Sequence, residues 1–457
     1  MSVGGAEAGS AAETGGAAET GGAAETGGAA VAGGGIESVE EFRLRARGWL
    51  RENMPRSAPG ATGRLVVRPD EEELAEVAQD RRLQRLLFDA GFAGLCFPKE
   101  YGGQGLTREH AEAFNEELAG YRYPSRLQVP TMTPCAAVIL EFGTHEQKAA
   151  HLPAILRGEE LWMQFLSEPG SGSDVAGAKT SAVREGDEWV LNGSKIWTTG
   201  AWWSDWGLCL ARTNWDVPKH RGLTVFMLPI HQPGIEVSRI EMLDGNKEFC
   251  QEFLTDVRVP DSARIGEVDD GWTVATRWLF HERSFSSSPF ALRPAGDVET
   301  YGDPGGGLLQ LAERAGRLAD PSARELVGEA HLLRTAMHAL DQRLHAVISE
   351  GKATEQLAAV GRLMHGVTMG RLATIGFELA GPAAVAAEEG EDSLGGLGTS
   401  YLLRQIASIG GGTTEVARNV ISERVLGMPR EQALDRNVPY RQVRTGPSSG
   451  GAANARS

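Results

Sequence analysis

Two glycine-rich stretches of the sequence combine small residues with hydroxyl groups. The first, LSEPGSGSDVAG, runs from Leu166 to Gly177, and the second, GGGTTE, runs from Gly410 to Glu415. Glycine lacks a Cβ atom, so such a turn lets backbone N–H groups come within hydrogen-bonding distance of a phosphate or of the edge of a flat ring system. The same composition is also typical of a connecting loop. The two stretches are therefore candidate binding loops, with a connecting role as the alternative.

A third stretch, NGSKIWTTG, follows the first along the chain. Asn192 and Gly193 form a dipeptide typical of a β-hairpin turn, and the strand after it would carry Trp197, Thr198 and Thr199. An aromatic ring edge beside two hydroxyl groups suits contact with a planar heterocycle. The alternative for this tryptophan is a place in the hydrophobic core.

The composition excludes several classes of protein. The chain has 457 residues and a net charge of −16, with 61 acidic and 45 basic residues, which argues against non-specific binding to nucleic acid. The sequence shows neither an apolar run long enough to span a membrane nor a signal peptide. The cysteines are scattered singly, which predicts a reduced, cytoplasmic protein without a zinc site. They are Cys96, Cys135, Cys209 and Cys250.

The spacing of apolar residues changes twice along the chain and predicts three domains. Residues 36–160 show the helical period, residues 161–268 consist of short β-rich pieces separated by Gly, Asn and Asp, and residues 269–432 return to long amphipathic helices. The Gly/Ala-rich segment 1–35, with its ETGGAA repeat, and the segment 433–457 are predicted to be flexible tails. The predicted order of domains is α, β, α.

Four motifs occur in an order that resembles the acyl-CoA dehydrogenase family of flavoproteins. LSEPGSGSDVAG is followed by NGSKIWTTG, then by DVRVPDSARIGEVDDGW and finally by GGTTEVARNVISERVLGMPRE. The stretch FPKEYGGQGLT agrees, and the resemblance runs from about Phe42 to Arg430. It implies an α+β multidomain fold with an N-terminal helical domain, a middle antiparallel β-barrel-like domain and a C-terminal four-helix bundle. FAD would lie between the last two domains, with an acyl-CoA thioester against its ring.

The resemblance also implies contacts to the cofactor. Ser167 would lie near the pyrimidine part of the flavin, Ser173 at the pyrophosphate and acyl-CoA side, and Thr199 within reach of flavin N5. Glu415 would face the adenosine end. The implied cofactor-binding set is Gln164, Leu166, Ser167, Gly172, Ser173, Trp197, Thr198, Thr199, Gly412, Thr413 and Glu415.

The catalytic base differs from the commonest arrangement of the family. There, a glutamate directly before the final Gly-Thr pair removes the α-proton of the thioester while hydride leaves the β-carbon for flavin N5. Here that position is Gly411, whose N–H would still stabilise charge on the thioester oxygen. In HERSF, Glu282 falls where some family members supply the base from the first long C-terminal helix. The alternative for Glu282 is an ion pair with Arg277 or Arg283.

The resemblance further implies the partners of the reaction. Substrate contacts are expected at Ser173, Arg283 and Gly412, and the substrate is an acyl-CoA or an acyl-carrier thioester. An electron-transferring flavoprotein would be the oxidant. After Arg283 the chain departs from the family's Arg-x-x-Phe-Gly segment, so a homodimer, a homotetramer and a heterotetramer stay open. Two other functions also stay open: a flavin-dependent monooxygenase or oxidase, and a non-catalytic subunit of a heteromeric dehydrogenase.

Overall fold

The computed structural model describes most of the chain between residues 36 and 443. The described ranges are 36–57, 69–283, 288–294, 307–350, 355–386, 395–430, 432–433 and 435–443. The predicted N-terminal tail and most of the loop that departs from the family after Arg283 lie outside the described residues. The elements given below all belong to one unit that begins at Ser38.

Helices form the first part of the chain because apolar residues there recur at helical spacing. Ser38 caps the first helix: its side chain accepts the N–H of Glu41, and the Glu41 carboxylate accepts the N–H of Ser38. Phe92 stacks on Phe114 with ring centroids 5.1 Å apart inside this layer. The helices are α1 (Val39–Asn53), α2 (Asp70–Asp89), α3 (Arg108–Glu117), α4 (Ala137–Phe142) and α5 (His145–Leu156).

The middle of the chain forms one mixed, mainly antiparallel sheet. The strands are β1 (Trp162–Phe165), β2 (Ser181–Glu185), β3 (Glu188–Thr199), β4 (Trp206–Arg212), β5 (Leu223–Pro229), β6 (Ile235–Arg239), β7 (Phe249–Pro260) and β8 (Arg264–Ile265). Their order is β6-β7-β3-β2-β4-β5-β8, and β1 pairs in parallel with β4. Because β6 and β8 lie at the two ends of this order, the sheet does not close into a barrel.

The predicted hairpin turn at Asn192 and Gly193 is wrong. Both residues lie inside β3, and the chain turns at Gly186 between β2 and β3. A Cβ atom on Gly193 would lie 2.6 Å from the Cα atom of Thr180, so glycine is required there by a close backbone approach. The Asn192 side chain bonds Asp256 on β7. The Asn-Gly pair therefore lies at an irregularity within the sheet, where the register between β3 and β7 shifts.

A buried ion pair connects three parts of the β domain. Lys195 on β3 is fully buried, and its Nζ lies 2.8 Å from Oε1 of Glu168, in the loop after β1. The same ammonium group donates to the carbonyl oxygens of Leu166 and Leu210. The Glu168 carboxylate also accepts the backbone N–H groups of residues 179 and 180. Every donor of the ammonium group therefore has an acceptor, as a buried charge requires.

Helices return after β8. They are α6 (Gly271–Arg283), α7 (Leu308–Arg314), α8 (Pro321–Ser349), α9 (Ala358–Ala380), α10 (Gly395–Leu403), α11 (Ile406–Ile409) and α12 (Thr414–Val420). Helix α9 packs against α7, α8 and α10 to α12, with Leu372 and Leu379 in the shared core. Helix α6 instead packs against α4, β5 and the irregular helical segment 128–136. Among the helices that the structure describes, none has the combined length and hydropathy of a bilayer span.

The end of the described chain differs from a flexible tail. Tyr440 is buried, and the guanidinium carbon of Arg212 lies 3.8 Å from the centre of its ring. Its hydroxyl donates to the carbonyl oxygen of Gly177. Arg212 is fully buried on β4, so an aromatic ring that covers its face shields the charge from water while preserving a cation–π contact. Residues 435–443 therefore pack on the β domain.

Replacement of Lys195 by methionine should destabilise the protein by about 3–5 kcal/mol, because Glu168 would stay buried without its cation. The matched control is Arg258→Met. It breaks an ion pair with Glu185 in which both side chains are about half exposed, and such pairs contribute less than about 1 kcal/mol. Denaturant unfolding of both variants measures the difference. Equal losses of stability would contradict the role assigned to Lys195.

Candidate functional site

Helix α6 joins the β domain to the C-terminal helices at the candidate site. Trp278 and Glu282 are four residues apart on this helix and therefore share a face. The indole N–H of the buried Trp278 donates to the side-chain oxygen of Gln164 on β1. This contact holds the face of α6 that carries Glu282 beside β1, the strand that leads into the first motif.

The carboxylate of Glu282 lies beside the backbone of Gly411. A Cβ atom on Gly411 would lie 3.8 Å from Oε1 of Glu282 and 3.8 Å from Nε of Arg362 on α9. Gly411 has φ +69°, in the left-handed region that favours glycine. Glu282 therefore occupies, from the opposite wall, the space towards which a side chain at position 411 would project.

Two arginines hold the glycine loop in place. Arg283 Nε donates to the carbonyl oxygen of Gly411 at 3.2 Å, and Arg362 Nη2 donates to the carbonyl oxygen of Gly410 at 2.6 Å. The Nε and Nη1 atoms of Arg362 are buried and have no hydrogen-bond partner among the described residues. After the loop, Thr413 caps α12 by accepting the N–H of residue 416.

Glu282 is half-buried, and no hydrogen-bond partner of its carboxylate is seen within the described ranges. Burial raises the pKa of Glu282 above its ordinary value, and the positive charges of Arg283 and Arg362 partly oppose that rise. A carboxylate whose pKa lies closer to neutral pH is a stronger proton acceptor than an ordinary exposed glutamate. The arrangement suits a general base.

The alternative of a Glu282–Arg277 ion pair is not seen, because Arg277 binds another carboxylate. Its guanidinium donates twice to Glu141 on α4, at 3.0 Å and 2.8 Å. His281 Nε2 lies 2.8 Å from the same carboxylate. Burial opposes ionisation of Glu141, but the hydrogen bonds from His281 and Arg277 outweigh it and lower its pKa to about 2. Arg277 and His281 thus anchor α6 to α4.

The first glycine-rich loop presents small residues to solvent. Gly172 and Ser173 are exposed, and a Cβ atom at Gly170 or Gly172 would meet nothing within 4 Å. The backbone oxygen of Ser167 accepts the N–H of residue 196, which joins the start of the loop to β3. The loop is therefore anchored at its start and open at its turn.

Strand β3 presents its motif residues to different sides. Trp197 has φ +65° at the point where the register of β3 and β7 shifts, and the residue is 53% exposed. Thr198 points inwards, and its hydroxyl contacts the backbone oxygen of Gln164 at 3.3 Å and Oε2 of Glu252 at 2.9 Å. Thr199 is half-buried. The bulge therefore displays Trp197 and Thr199, whereas the hydroxyl of Thr198 belongs to the core.

A cavity of about 530 Å³ reaches the end of β3. It lies between the start of α2, the turn after β3 and the segment that links β6 to β7. Its lining includes Thr199 and Gly200 but neither Glu282 nor Gly411. The candidate site thus has two parts, one at β1 and β3 and one at α6 and the 410–412 loop, joined by the Trp278–Gln164 contact.

Comparison with known proteins gives the family. The family model for the acyl-CoA dehydrogenase N-terminal domain matches residues 42–159, and the model for the middle domain matches residues 164–257. The acyl-CoA dehydrogenase IpdE1 of Mycobacterium tuberculosis is 34% identical over 400 residues, which cover 87% of this chain and 99% of that protein. The chain belongs to the acyl-CoA dehydrogenase family. The resemblance, the α+β fold class and the oxidoreductase class predicted from the motifs are thereby confirmed.

The solved structures extend the likeness beyond residue 257. The Tcur3481-Tcur3483 steroid ACAD has a TM-score of 0.66 and 26% identity, over 87% of this chain and 99% of that one. The ChsE4-ChsE5 complex from Mycobacterium tuberculosis has a TM-score of 0.65 and 25% identity, over 87% and 99% of the two chains. Both cover more of this family member than the two domain models do, and both carry the names of two proteins.

Within this acyl-CoA dehydrogenase family member, the structure brings together Glu282, Arg283, Gly411 and Gly412. A Cβ atom on Gly412 would lie 3.4 Å from the Arg283 guanidinium. Glu415, expected at the adenosine end of the cofactor, is exposed and bonded to the hydroxyl of residue 414. No group of three or more potential metal ligands occurs in the described part of the chain.

Sequence reasoning missed two residues that the structure adds to the site, Arg362 and Trp278. Arg362 lies in α9, far from any motif, and nothing in its local pattern marks it. Trp278 could have been found, because an i, i+4 relation to the candidate base Glu282 places both on one helix face. The spacing rule therefore identifies the neighbour on the same helix but not the partner from another one.

Replacement of Gly411 by alanine should destabilise the protein by about 1–2 kcal/mol, because an L-residue is strained at positive φ. Gly410→Ala is the control, since Gly410 has φ −60° and its Cβ atom would meet only an ordinary contact at 3.7 Å. Its cost should stay within about 0.5 kcal/mol. Denaturant unfolding compares the two, and equal costs would show that the backbone at Gly411 does not need glycine.

Proposed function

We propose that this protein oxidises an acyl-CoA thioester to the 2,3-enoyl-CoA, with Glu282 as the base that removes the α-proton. The position of Glu282 carries the proposal. The family resemblance assigns the usual base to position 411, and the Glu282 carboxylate lies 3.8 Å from where the Cβ atom of that side chain would be. A side chain at position 411 and the side chain of Glu282 would thus project into the same space.

The residues at β3 and the first loop fit FAD. An exposed indole at Trp197, the hydroxyl of Thr199 and the open turn at Gly172 and Ser173 are the surfaces that a flat ring and a pyrophosphate require. When bound, FAD supplies the acceptor for the hydride that leaves the β-carbon. Thr198 does not face this surface; its hydroxyl contributes indirectly, by bonding to the backbone oxygen of Gln164 in the core.

The chain's own groups then perform the proton transfer. The Glu282 carboxylate takes the α-proton, and Arg283 and Arg362 favour its ionised form before the transfer. The N–H of Gly411 is assigned to the thioester oxygen, where a hydrogen bond stabilises the enolate charge that develops as the proton leaves. The partial burial of Glu282 limits its solvation and thereby strengthens it as a base.

The proposal extends to the partners. The substrate is an acyl-CoA with a bulky acyl group, in line with a relative that is named a steroid ACAD. The oxidant is an electron-transferring flavoprotein, and the compartment is the cytoplasm. The assembly is a hetero-oligomer, supported by the two solved relatives that carry the names of two proteins.

Anaerobic titration of the purified protein with a panel of acyl-CoAs tests the reaction. A thioester substrate should bleach the oxidised flavin band, and Glu282→Gln should slow this bleaching by about 10²- to 10⁴-fold while FAD stays bound. Glu325→Gln, which neutralises an exposed carboxylate on α8, is the control and should bleach at the original rate.

Other outcomes would reassign the protein. Bound FAD that no thioester reduces, but that turns over with a reductase and oxygen, would indicate a monooxygenase. A chain that binds no FAD, alone or with a second subunit, would indicate a non-catalytic subunit. Reduction of the flavin at an unchanged rate in Glu282→Gln would contradict the role of Glu282 and leave the dehydrogenase activity intact.

The rate of flavin reduction should rise with pH, because Glu282 must be ionised and its pKa lies above the ordinary range. Arg362→Gln removes a positive charge that favours the ionised form, so the rising limb should move to higher pH. Arg362→Lys keeps the charge and should leave the limb near its original position. Stopped-flow reduction over a pH series measures the limb, and an unmoved limb in Arg362→Gln would exclude this electrostatic role.

A further inference from the structure

A carboxyl group lies in the core of the β domain, behind β3, the strand that carries the proposed FAD contacts Trp197 and Thr199. Along β7, side chains at alternate positions point inwards, and Cys250, Glu252 and Leu254 form this inward set. Glu252 is fully buried among apolar residues of the sheet. A buried carboxyl group is costly in its ionised form unless a cation or several donors surround it.

The neighbouring cation does not pair with Glu252. Lys195 faces it from β3, but its ammonium group is already used by Glu168 and by two backbone oxygens. The thiols of Cys209 on β4 and Cys250 on β7 also lie near Glu252, and neither carries a positive charge. Oε1 of Glu252 is buried and has no hydrogen-bond partner in the part of the chain that the structure describes.

The hydroxyl of Thr198 connects Glu252 to β1. Thr198 has one proton and two acceptors within reach, Oε2 of Glu252 at 2.9 Å and the backbone oxygen of Gln164 at 3.3 Å. If Glu252 is ionised, its carboxylate competes for this proton and the bond to Gln164 is lost. If Glu252 is protonated, its own O–H donates to Thr198, and the Thr198 proton is free to donate to Gln164.

We infer that Glu252 is a positioning residue that acts as a neutral acid: through Thr198 it joins β1 to β3 behind the proposed FAD site. The hydrogen bonds run from the Glu252 O–H to the Thr198 oxygen, and from the Thr198 O–H to the Gln164 carbonyl. They hold Gln164 in register with Trp197 and Thr199. The effect on FAD rests on the proposed function, whereas the protonation of Glu252 does not.

The electrostatics of the core agree with a neutral acid. Burial raises the pKa of Glu252 to about 8, against the opposing effects of the Thr198 hydroxyl and the charge of Lys195. At neutral pH most molecules therefore carry the proton. When the pH rises above this pKa, Glu252 loses its proton and the hydrogen bond from Thr198 to Gln164 breaks. A negative charge then lies in the core behind β3.

Infrared spectroscopy of the full-length protein tests the protonation directly. The wild-type protein should show the C=O band of a buried carboxylic acid at pH 7, and the band should disappear with a midpoint near pH 8. The band that titrates near pH 8 should be missing from Glu252→Gln. Thr198→Val should move the band to higher frequency, because the acid loses its hydrogen-bond acceptor, while Thr198→Ser should leave it in place. Identical spectra of wild type and Glu252→Gln would overturn the inference.

The affinity for FAD tests the positioning. Loss of one hydrogen bond corresponds to about a fivefold change in an equilibrium constant. The dissociation constant of FAD should therefore rise about fivefold in wild type as the pH passes the infrared midpoint, and Glu252→Gln should lack this step. A step of equal size in both proteins would refute the positioning role. A chain that binds no FAD would contradict the proposed function and leave the infrared test intact.

Discussion

The buried Lys195–Glu168 ion pair is the interaction on which the β half of the site depends. It connects β3, β4 and the loop after β1 at one point, and its carboxylate also receives two backbone N–H groups of the same loop. Since Glu168 belongs to the first glycine-rich motif, the loop's course is determined from inside the core. The open turn at Gly172 and Ser173 can therefore be rich in small, exposed residues without losing its position.

Adjacent residues near the end of β3 point alternately to solvent and to the core. The bulge turns Trp197 outwards, whereas Thr198 points to the core and meets Glu252. An unbroken strand would also point successive side chains to opposite faces. Here Trp197 is an extra residue that shifts the pairing with β7, and its backbone adopts a left-handed conformation that is rare for bulky residues. Such backbone strain lowers the stability of the fold and is typical of functional positions, where the orientation of a side chain matters more than this cost.

Much of the architecture could be predicted because its causes are local. The change of apolar period predicts the α, β, α order, and the family resemblance implies Glu282 as the candidate base once position 411 is seen to be glycine. Other features depend on contacts between distant segments. The register of two strands decides that Asn192 and Gly193 lie within β3, and it places Glu252 against Thr198. The contact of Arg362 with the glycine loop likewise depends on how α9 packs.

Glu282 and the space beside Gly411 also bear on how such a site can change in evolution. A chain with carboxylates at both positions would hold two like charges on one small volume, and their repulsion would keep one of them protonated. A chain with neither would have no base. If the proposed base moved from one wall to the other by single substitutions, the chain would pass through one of these two arrangements. With the proposed base on α6, position 411 needs no carboxylate, and glycine there suits the positive φ of the backbone.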